Sequence, residues 1–167
     1  MNISFQFSAP AQIEFGPDRA HAVLAGIERY GSRVLLVCGK HHQRHPDLVR
    51  QIQENAERFT QFGVDGEPDT ALVEKGVLCA RKAGCDLIVA LGGGSVIDTG
   101  KAIAALATSR GPLGDYLEIV GKGRALENPP LACIAIPTTA GTGAEVTRNA
   151  VLTATGHGLK VSLRGPY

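Results

Sequence analysis

The sequence predicts a doubly wound α/β fold built on a parallel sheet. Three observations support this prediction: residues 33–38, 86–91 and 131–136 are almost continuously apolar, amphipathic helical patterns separate them, and Gly- or Thr-rich turns follow the last two. Strands that are apolar throughout are typical of a parallel sheet covered by helices on both faces. The 167 residues are enough for one domain with a hydrophobic core and short for two.

The first part of the chain predicts a hairpin and then a helix. Residues 3–7 and 12–16 alternate apolar and polar side chains, which is typical of two paired strands. Pro17 then opens a helix that runs to about residue 30 and stops at Gly31.

Strands and helices alternate along the rest of the chain. The predicted elements are a strand at 33–38, a helix at 46–58, a strand at 59–64, a helix at 70–83, a strand at 86–91, a helix at 95–108 and a strand at 131–136. The Gly- and Pro-rich residues 111–130 predict a loop with one helical turn at about 115–119. Two short strands are expected at 149–153 and 160–163.

The composition argues against several classes of partner. Lys and Arg number 17 against 16 for Asp and Glu, and no block of like charge occurs, so a nucleic acid or an anionic membrane is not expected. No apolar run, including that at residues 87–91, is long enough to cross a bilayer, and the N-terminus has no signal-peptide pattern. We therefore expect a cytoplasmic protein.

The four cysteines form no CxxC pair and are predicted to be reduced core thiols.

A triple-glycine turn follows the strand at 86–91. Glycines 92–94 allow a sharp turn, and Ser95 and Asp98 have the spacing of a capping box at the start of the next helix. The free N–H groups of that helix terminus suit a pyrophosphate, although glycine content alone also fits an ordinary tight turn. The spacing is neither G-x-G-x-x-G nor a Walker A loop, because five residues separate Gly94 from Gly100.

A second polar loop follows the strand at 131–136. Ligands of open α/β sheets bind outside the carboxyl ends of the strands, which is where this loop should lie. Its hydroxyls and its flexible glycines suit ribose and phosphate oxygens. These residues are Thr138, Thr139, Thr142, Thr147, Gly141 and Gly143.

Together, GGGSVIDTGKAIA (92–104) and IPTTAGTGAEVT (136–147) resemble the paired signatures of the iron-containing (group III) alcohol dehydrogenases. The resemblance implies that residues 1–167 are a dinucleotide-binding domain, with a hairpin at 1–16, an α/β core at 33–136, and the Thr/Gly loop and terminal strands at 137–167. It implies NAD or NADP as cofactor, with Gly93 among the cofactor-binding residues, Gly94 and Ser95 at the phosphates and Asp98 near the nicotinamide. The rest of the groove would be lined by Thr138, Thr139, Thr142, Thr147 and Lys160. The turn Glu67-Pro68 falls at another cofactor-contacting position, where the family often has Asn.

The same resemblance implies that the family's metal-binding residues are not in this chain. Family members carry a second, helical half in which one Asp and three His bind Fe²⁺ or Zn²⁺ beside a small alcohol or aldehyde. No catalytic or metal-binding residue is therefore assigned here, and we expect a truncated or naturally short form that is inactive alone. Phe5 and Phe7 lie on a segment that resembles the family's intersubunit strand, so a homo-oligomer, such as a dimer, is expected.

Parts of the sequence are also compatible with other functions. A stand-alone nucleotide-binding or sensory module without catalysis is the alternative, and a P-loop hydrolase is disfavoured by the failed Walker spacing. His41, His42 and His45 cluster after the first sheet strand. Because no carboxylate or thiol completes a site, a solvated loop is favoured over a metal pair.

Gly39 bears on the choice between NAD and NADP. In the family, members that prefer NAD often carry Asp after the first sheet strand, where its charge repels a 2′-phosphate. Here Gly39 takes that place, with Lys40 and Arg44 close behind. We therefore predict that NADP is accepted. The alternative is that Gly39 only permits the turn, in which case it says nothing about cofactor preference.

Overall fold

A single parallel sheet organises the protein. A computed structural model describes residues 4–5, 9–154 and 156–165. Within them, β1 (Arg33–Gly39), β2 (Arg58–Val64), β3 (Leu87–Gly92) and β4 (Ala132–Pro137) pair in the order β2-β1-β3-β4, every pair parallel. The predicted α/β class is confirmed.

The two central strands are apolar because both of their faces are covered. Leu35 and Val37 of β1 belong to one core cluster, whereas Val34, Leu36 and Cys38 belong to the other. Side chains of a strand alternate between faces, so this division places one cluster on each side of the sheet. Burial on both faces explains why the sequence shows a continuous apolar run instead of alternation.

Among the described residues, four α-helices cover the sheet, two on each face. Residues of α1 (Arg19–Leu24) and α2 (Pro46–Asn55) pack in the cluster with Val34, and those of α3 (Thr70–Ala83) and α4 (Gly94–Ala107) in the cluster with Leu35. Pro46 stands in the first turn of α2, and the Asp69 side chain caps α3 by accepting a hydrogen bond from the Leu72 N–H at 2.7 Å. Glycine 84 ends α3 at a φ of 64°.

A two-stranded antiparallel hairpin completes the fold. β5 (Asn149–Ala154) and β6 (Leu159–Arg164) correspond to the two predicted short strands, and their buried side chains join the cluster that contains α4. The N–H of Thr153 donates to the Pro68 carbonyl at 2.8 Å. The hairpin is thereby fixed beside the turn that follows β2.

Two predictions for the N-terminal part were wrong. The helix expected at 17–30 is shorter, since α1 ends at Leu24 and a 3-10 turn, Ile27–Arg29, follows. Gly26 interrupts the pattern because a glycine inside a helix costs about 1 kcal/mol relative to alanine. Residues 12–16 form no strand. Ile13 and Phe15 are exposed there, so no burial supports pairing, and most of the predicted partner strand, including Phe7, lies outside the described residues.

The remaining differences are small. α2 ends three residues early, because Ala56 already has an extended backbone that leads into β2. The turn expected at 115–119 is a 3-10 helix at Leu113–Tyr116. All four cysteines are free thiols, as predicted, but only Cys38 is fully buried and Cys133 is exposed. Within the described residues, no helix is long and apolar enough to span a membrane.

Candidate functional site

The carboxyl ends of three neighbouring strands bring the two Gly-rich motifs together. Gly92 at the end of β3 pairs with Pro137 at the end of β4, and Gly39 ends β1 on the other side of β3. We call residues 92–95 the first loop and residues 138–147 the second loop. Both loops therefore lie at one edge of the sheet, as the sequence predicted.

The first loop leads directly into α4. Gly93 is the N-cap of this helix, and the N–H groups of Gly94 and Ser95 lie in its first turn, where no intrahelical acceptor exists. Their dipoles make this turn a favourable place for an anion. The predicted capping box is wrong, because the helix begins before Ser95 and the Asp98 carboxylate pairs instead with Lys101, at 3.0 Å.

The second loop rests on the first. The N–H of Thr138 donates to the Gly92 carbonyl at 2.9 Å. A Cβ added at Gly93 would stand 3.2 Å from Thr139 Oγ1, and one added at Gly94 would stand 3.3 Å from Thr142 Cβ. Because both contacts are at the lower limit for real Cβ atoms, the absence of side chains at these two positions permits the loops to approach.

Lys101 joins α4 to the second loop, and the sequence prediction did not include it. Its ammonium lies 2.6 Å from the carbonyl oxygens of both Ala144 and Asn149, 3.2 Å from Thr147 Oγ1 and 3.0 Å from Asp98 Oδ1. The side chain is 19% exposed. Lys101 follows Asp98 by one helical turn, and this spacing is the signal that could have identified the pair.

A small open pocket lies between α4 and the β5–β6 hairpin. Its lining includes three predicted site residues, Ser95, Asp98 and Lys160, and also Thr153, which the sequence prediction missed. The Lys160 ammonium pairs with Glu67 at 3.0 Å on the rim. The volume is about 130 Å³, which suits a phosphate group better than a whole dinucleotide, so the rest of such a ligand would lie along the open edge of the sheet.

Two of the polar side chains after β1 already have partners within the chain, which the sequence analysis did not expect. Lys40 pairs with Asp65 at 2.6 Å, while His42 Nδ1 lies 2.9 Å from the Gly39 carbonyl and its Nε2 lies 3.1 Å from Gln61 Nε2. A Cβ at Gly39 would meet only Val96, at 3.4 Å, so a larger residue can be accommodated there.

No metal site was found in the part of the chain that the structure describes. No three His, Cys, Asp or Glu side chains there are grouped so that they could hold a metal ion. The turn at His42–Arg44 is a short 3-10 helix, so His41 and His45 do not share an α-helical face. Residues 4–5, 9–154 and 156–165 therefore offer no set of side chains that fits an iron site.

Comparison with known proteins gives the family. The model of the family described as "Iron-containing alcohol dehydrogenase" matches residues 10–167. The chain is 34% identical over 155 residues to NADH-dependent butanol dehydrogenase B of Clostridium acetobutylicum, a match covering 90% of this chain and 39% of the relative. It is 44% identical over 158 residues to 1,3-propanediol dehydrogenase of Klebsiella pneumoniae, covering 90% and 40% respectively.

Solved structures show the same fold. A 1,3-propanediol oxidoreductase superposes with a TM-score of 0.87 at 32% identity, over 98% of this chain and 43% of the other. The sulfoacetaldehyde reductase of Bifidobacterium kashiwanohense, solved in complex with NAD⁺, gives 0.84 at 30% identity, over 99% and 44%.

This chain thus spans about two fifths of the length of the curated relatives it matches. The paired loops, their shared sheet edge and the family match over residues 10–167 agree with one another. The chain belongs to the iron-containing alcohol dehydrogenase family.

Proposed function

We propose that this chain binds a nicotinamide dinucleotide at the carboxyl edge of its sheet, as the cofactor-binding part of an alcohol or aldehyde oxidoreductase. One observation carries the proposal: the second loop is seated on the first turn of α4, next to a pocket lined by Ser95, Asp98 and Lys160. Backbone N–H groups, hydroxyls and an ammonium are the donors that phosphate and ribose oxygens require.

Each group has a proposed role toward the cofactor. The N–H groups of Gly93, Gly94 and Ser95 and the Lys160 ammonium hold the phosphates, while Asp98 lies toward the nicotinamide. The threonines of the second loop, Thr138, Thr139, Thr142 and Thr147, line the remainder of the groove. When bound, the nicotinamide would accept or supply the hydride.

Calorimetric titration with NADH, NADPH and ATP tests this proposal. We expect saturable binding of a dinucleotide and weaker binding of ATP. Equal affinity for ATP would favour the alternative, a nucleotide-binding or sensory module without catalysis, and no dinucleotide binding would overturn the proposal.

We also propose that this chain alone does not oxidise alcohols. Among the described residues, no group of three His, Cys, Asp or Glu could hold a metal ion, and the loss of metal stabilisation of an alkoxide costs several kcal/mol. Turnover of butanol or propanediol by metal-supplemented protein free of contaminants would contradict this. The alcohols are proposed because the relatives' names specify butanol and propanediol.

NADP acceptance is a proposal that rests on Gly39. No carboxylate extends from this position, but Lys40 already pairs with Asp65, so a 2′-phosphate would have to compete for that lysine. Dissociation constants for NADPH and NADH should be measured on the wild type and on Gly39→Asp. NADH binding more than about tenfold tighter to the wild type, or unchanged NADPH affinity in the variant, would contradict the interpretation.

Self-association and a cytoplasmic location stay predictions. Phe5, Ile13 and Phe15 are strongly exposed, which supports burial of this segment against a second copy. Light scattering at high protein concentration tests the first prediction: we expect a dimer or larger species for the wild type and a smaller one for Phe15→Ser. A monomer at all concentrations would refute it.

A further inference from the structure

The pocket beside α4 carries negative charge in its lining, although a pocket that binds an anion needs positive charge. Its lining holds two carboxylates, Glu67 and Asp98, and one ammonium, Lys160. Lys101 stands behind Asp98 and neutralises it at 3.0 Å, and Lys160 neutralises Glu67 at the same distance. An incoming phosphate therefore finds two existing ion pairs in place of two available cations.

The two lysines differ in how readily each can leave its present partners for a ligand. Lys101 has four partner residues for the three N–H groups of its ammonium, and its side chain is largely buried. Within the described residues, Lys160 has one ion-pair partner, Glu67, and both side chains are more than 60% exposed. Exposed pairs of this kind contribute little free energy, so the Lys160–Glu67 pair is the one that a ligand can open.

We infer that Glu67 lowers the affinity of this pocket for dinucleotide phosphates by competing with them for Lys160. The inference rests on the proposed function. A phosphate that takes Lys160 must break its pair with Glu67. Without the Glu67 carboxylate, Lys160 is available from the start, and binding should tighten.

The backbone of the turn does not depend on the Glu67 carboxylate. The neighbouring Pro68 carbonyl accepts the Thr153 N–H, and this bond remains when the Glu67 side chain is changed. Glu67→Gln therefore removes charge with little change in shape. Glu57→Gln is a matched control, because Glu57 is also exposed but lies beside the first residue of β2, at the opposite edge of the sheet.

The experiment is a double-mutant cycle on NADH affinity. The dissociation constant is measured for the wild type, Glu67→Gln, Lys160→Met and the double variant, at low and high salt. We expect Glu67→Gln to bind NADH about threefold tighter at low salt, a gain that shrinks at high salt because exposed charges are screened. Lys160→Met should bind more weakly, and Glu67→Gln should bring no gain in that background. Glu57→Gln should match the wild type.

The outcomes separate the inference from the proposed function. No NADH binding by the wild type would overturn both. Binding by the wild type with no gain in Glu67→Gln would overturn the inference alone. A gain that persists in the Lys160→Met background would also overturn it, because the carboxylate would then act by direct repulsion and not through Lys160.

Discussion

Two Gly-rich loops meet at one edge of the sheet, but they are held in different ways. The first loop continues from a fully buried strand into a helix whose next residues, Val96 and Ile97, are buried in the core. The second loop is mostly exposed, and two of its glycines, Gly141 and Gly143, have φ values of 92° and 64°. Core packing therefore fixes the first loop, whereas the second is held mainly by a few polar contacts and by Ala144, its buried residue.

Lys101 supplies most of the polar contacts at the end of the second loop. It bonds the Ala144 carbonyl within that loop and the Asn149 carbonyl just beyond it. The position of the second loop should therefore depend on one side chain of α4. The first loop should be insensitive to changes in the second.

The largest effect is expected from Lys101→Met. An equal response of both loops to this change would show that they are not held in different ways. Loss of the ammonium removes the donor that Asp98 and the Ala144 and Asn149 carbonyl oxygens share, so the free energy of unfolding should fall by about 2 kcal/mol. Hydrogen exchange should accelerate at 138–147 and change little at 92–97. NADH affinity should fall by about tenfold, or about 1.4 kcal/mol.

Lys75→Met is the control for that experiment. Lys75 is an exposed residue of α3, on the side of this helix that faces away from the core. We expect this variant to keep the stability and the exchange pattern of the wild type. Unchanged exchange at 138–147 in Lys101→Met would refute the role assigned to Lys101.

A smaller effect is expected from Gly94→Ala. The added methyl group would stand 3.3 Å from Thr142 Cβ, so the second loop must shift outward by a few tenths of an ångström. The free energy of unfolding should fall by about 1 kcal/mol, while NADH binding weakens severalfold. Gly114→Ala is the matched control, since its Cβ would meet nothing within 4 Å. Wild-type NADH affinity in Gly94→Ala would show that close contact between the loops is not required.

A pH-dependent effect is expected from Cys38 on β1, the strand that pairs with β3. Burial raises the pKa of the Cys38 thiol, and the hydrogen bond from Gln61 opposes part of that shift. The unfolded thiol ionises near 9.0 and the folded one only at higher pH, so this contribution to stability is intact below pH 9 and is lost as pH rises through the folded pKa.

Urea unfolding between pH 8 and 10 tests the Cys38 prediction. The unfolding free energy of Cys38→Ala should decline less steeply than that of the wild type, by at most about 1.4 kcal/mol per pH unit. Parallel declines would contradict the assignment.

The sequence predicted most of the core because local and global signals agree there. α3 begins and ends at the predicted residues, 70 and 83, because Asp69 caps one end and Gly84 the other. The apolar runs of β1 and β3 predicted a sheet covered on both faces, and both strands are buried. The N-terminal hairpin was mispredicted because an alternating pattern says nothing about a partner, and exposed Phe15 has none within this chain's described residues.

The candidate site was named in part from the sequence. Gly93, Gly94 and the threonines of the second loop were named because glycines and hydroxyls at strand ends have a local signature, and the structure brings them together at one edge of the sheet. The roles of Lys101, Thr153 and Glu67 depend on contacts across 43 to 93 residues of sequence, and no local pattern encodes these. The Asp98 capping box failed because an ion pair one turn along the helix took the carboxylate.

The central claim is that both loops bind one dinucleotide at the carboxyl edge of the sheet. Titration of the isotopically labelled chain with NADH, followed by amide chemical shifts in NMR spectra, tests it most directly. We expect saturable shifts concentrated at residues 92–95 and 138–147, with further shifts at Thr153 and Lys160. An absence of shifts at about 1 mM NADH, or shifts concentrated at the amino ends of the strands around Ser32 and Asp86, would contradict it.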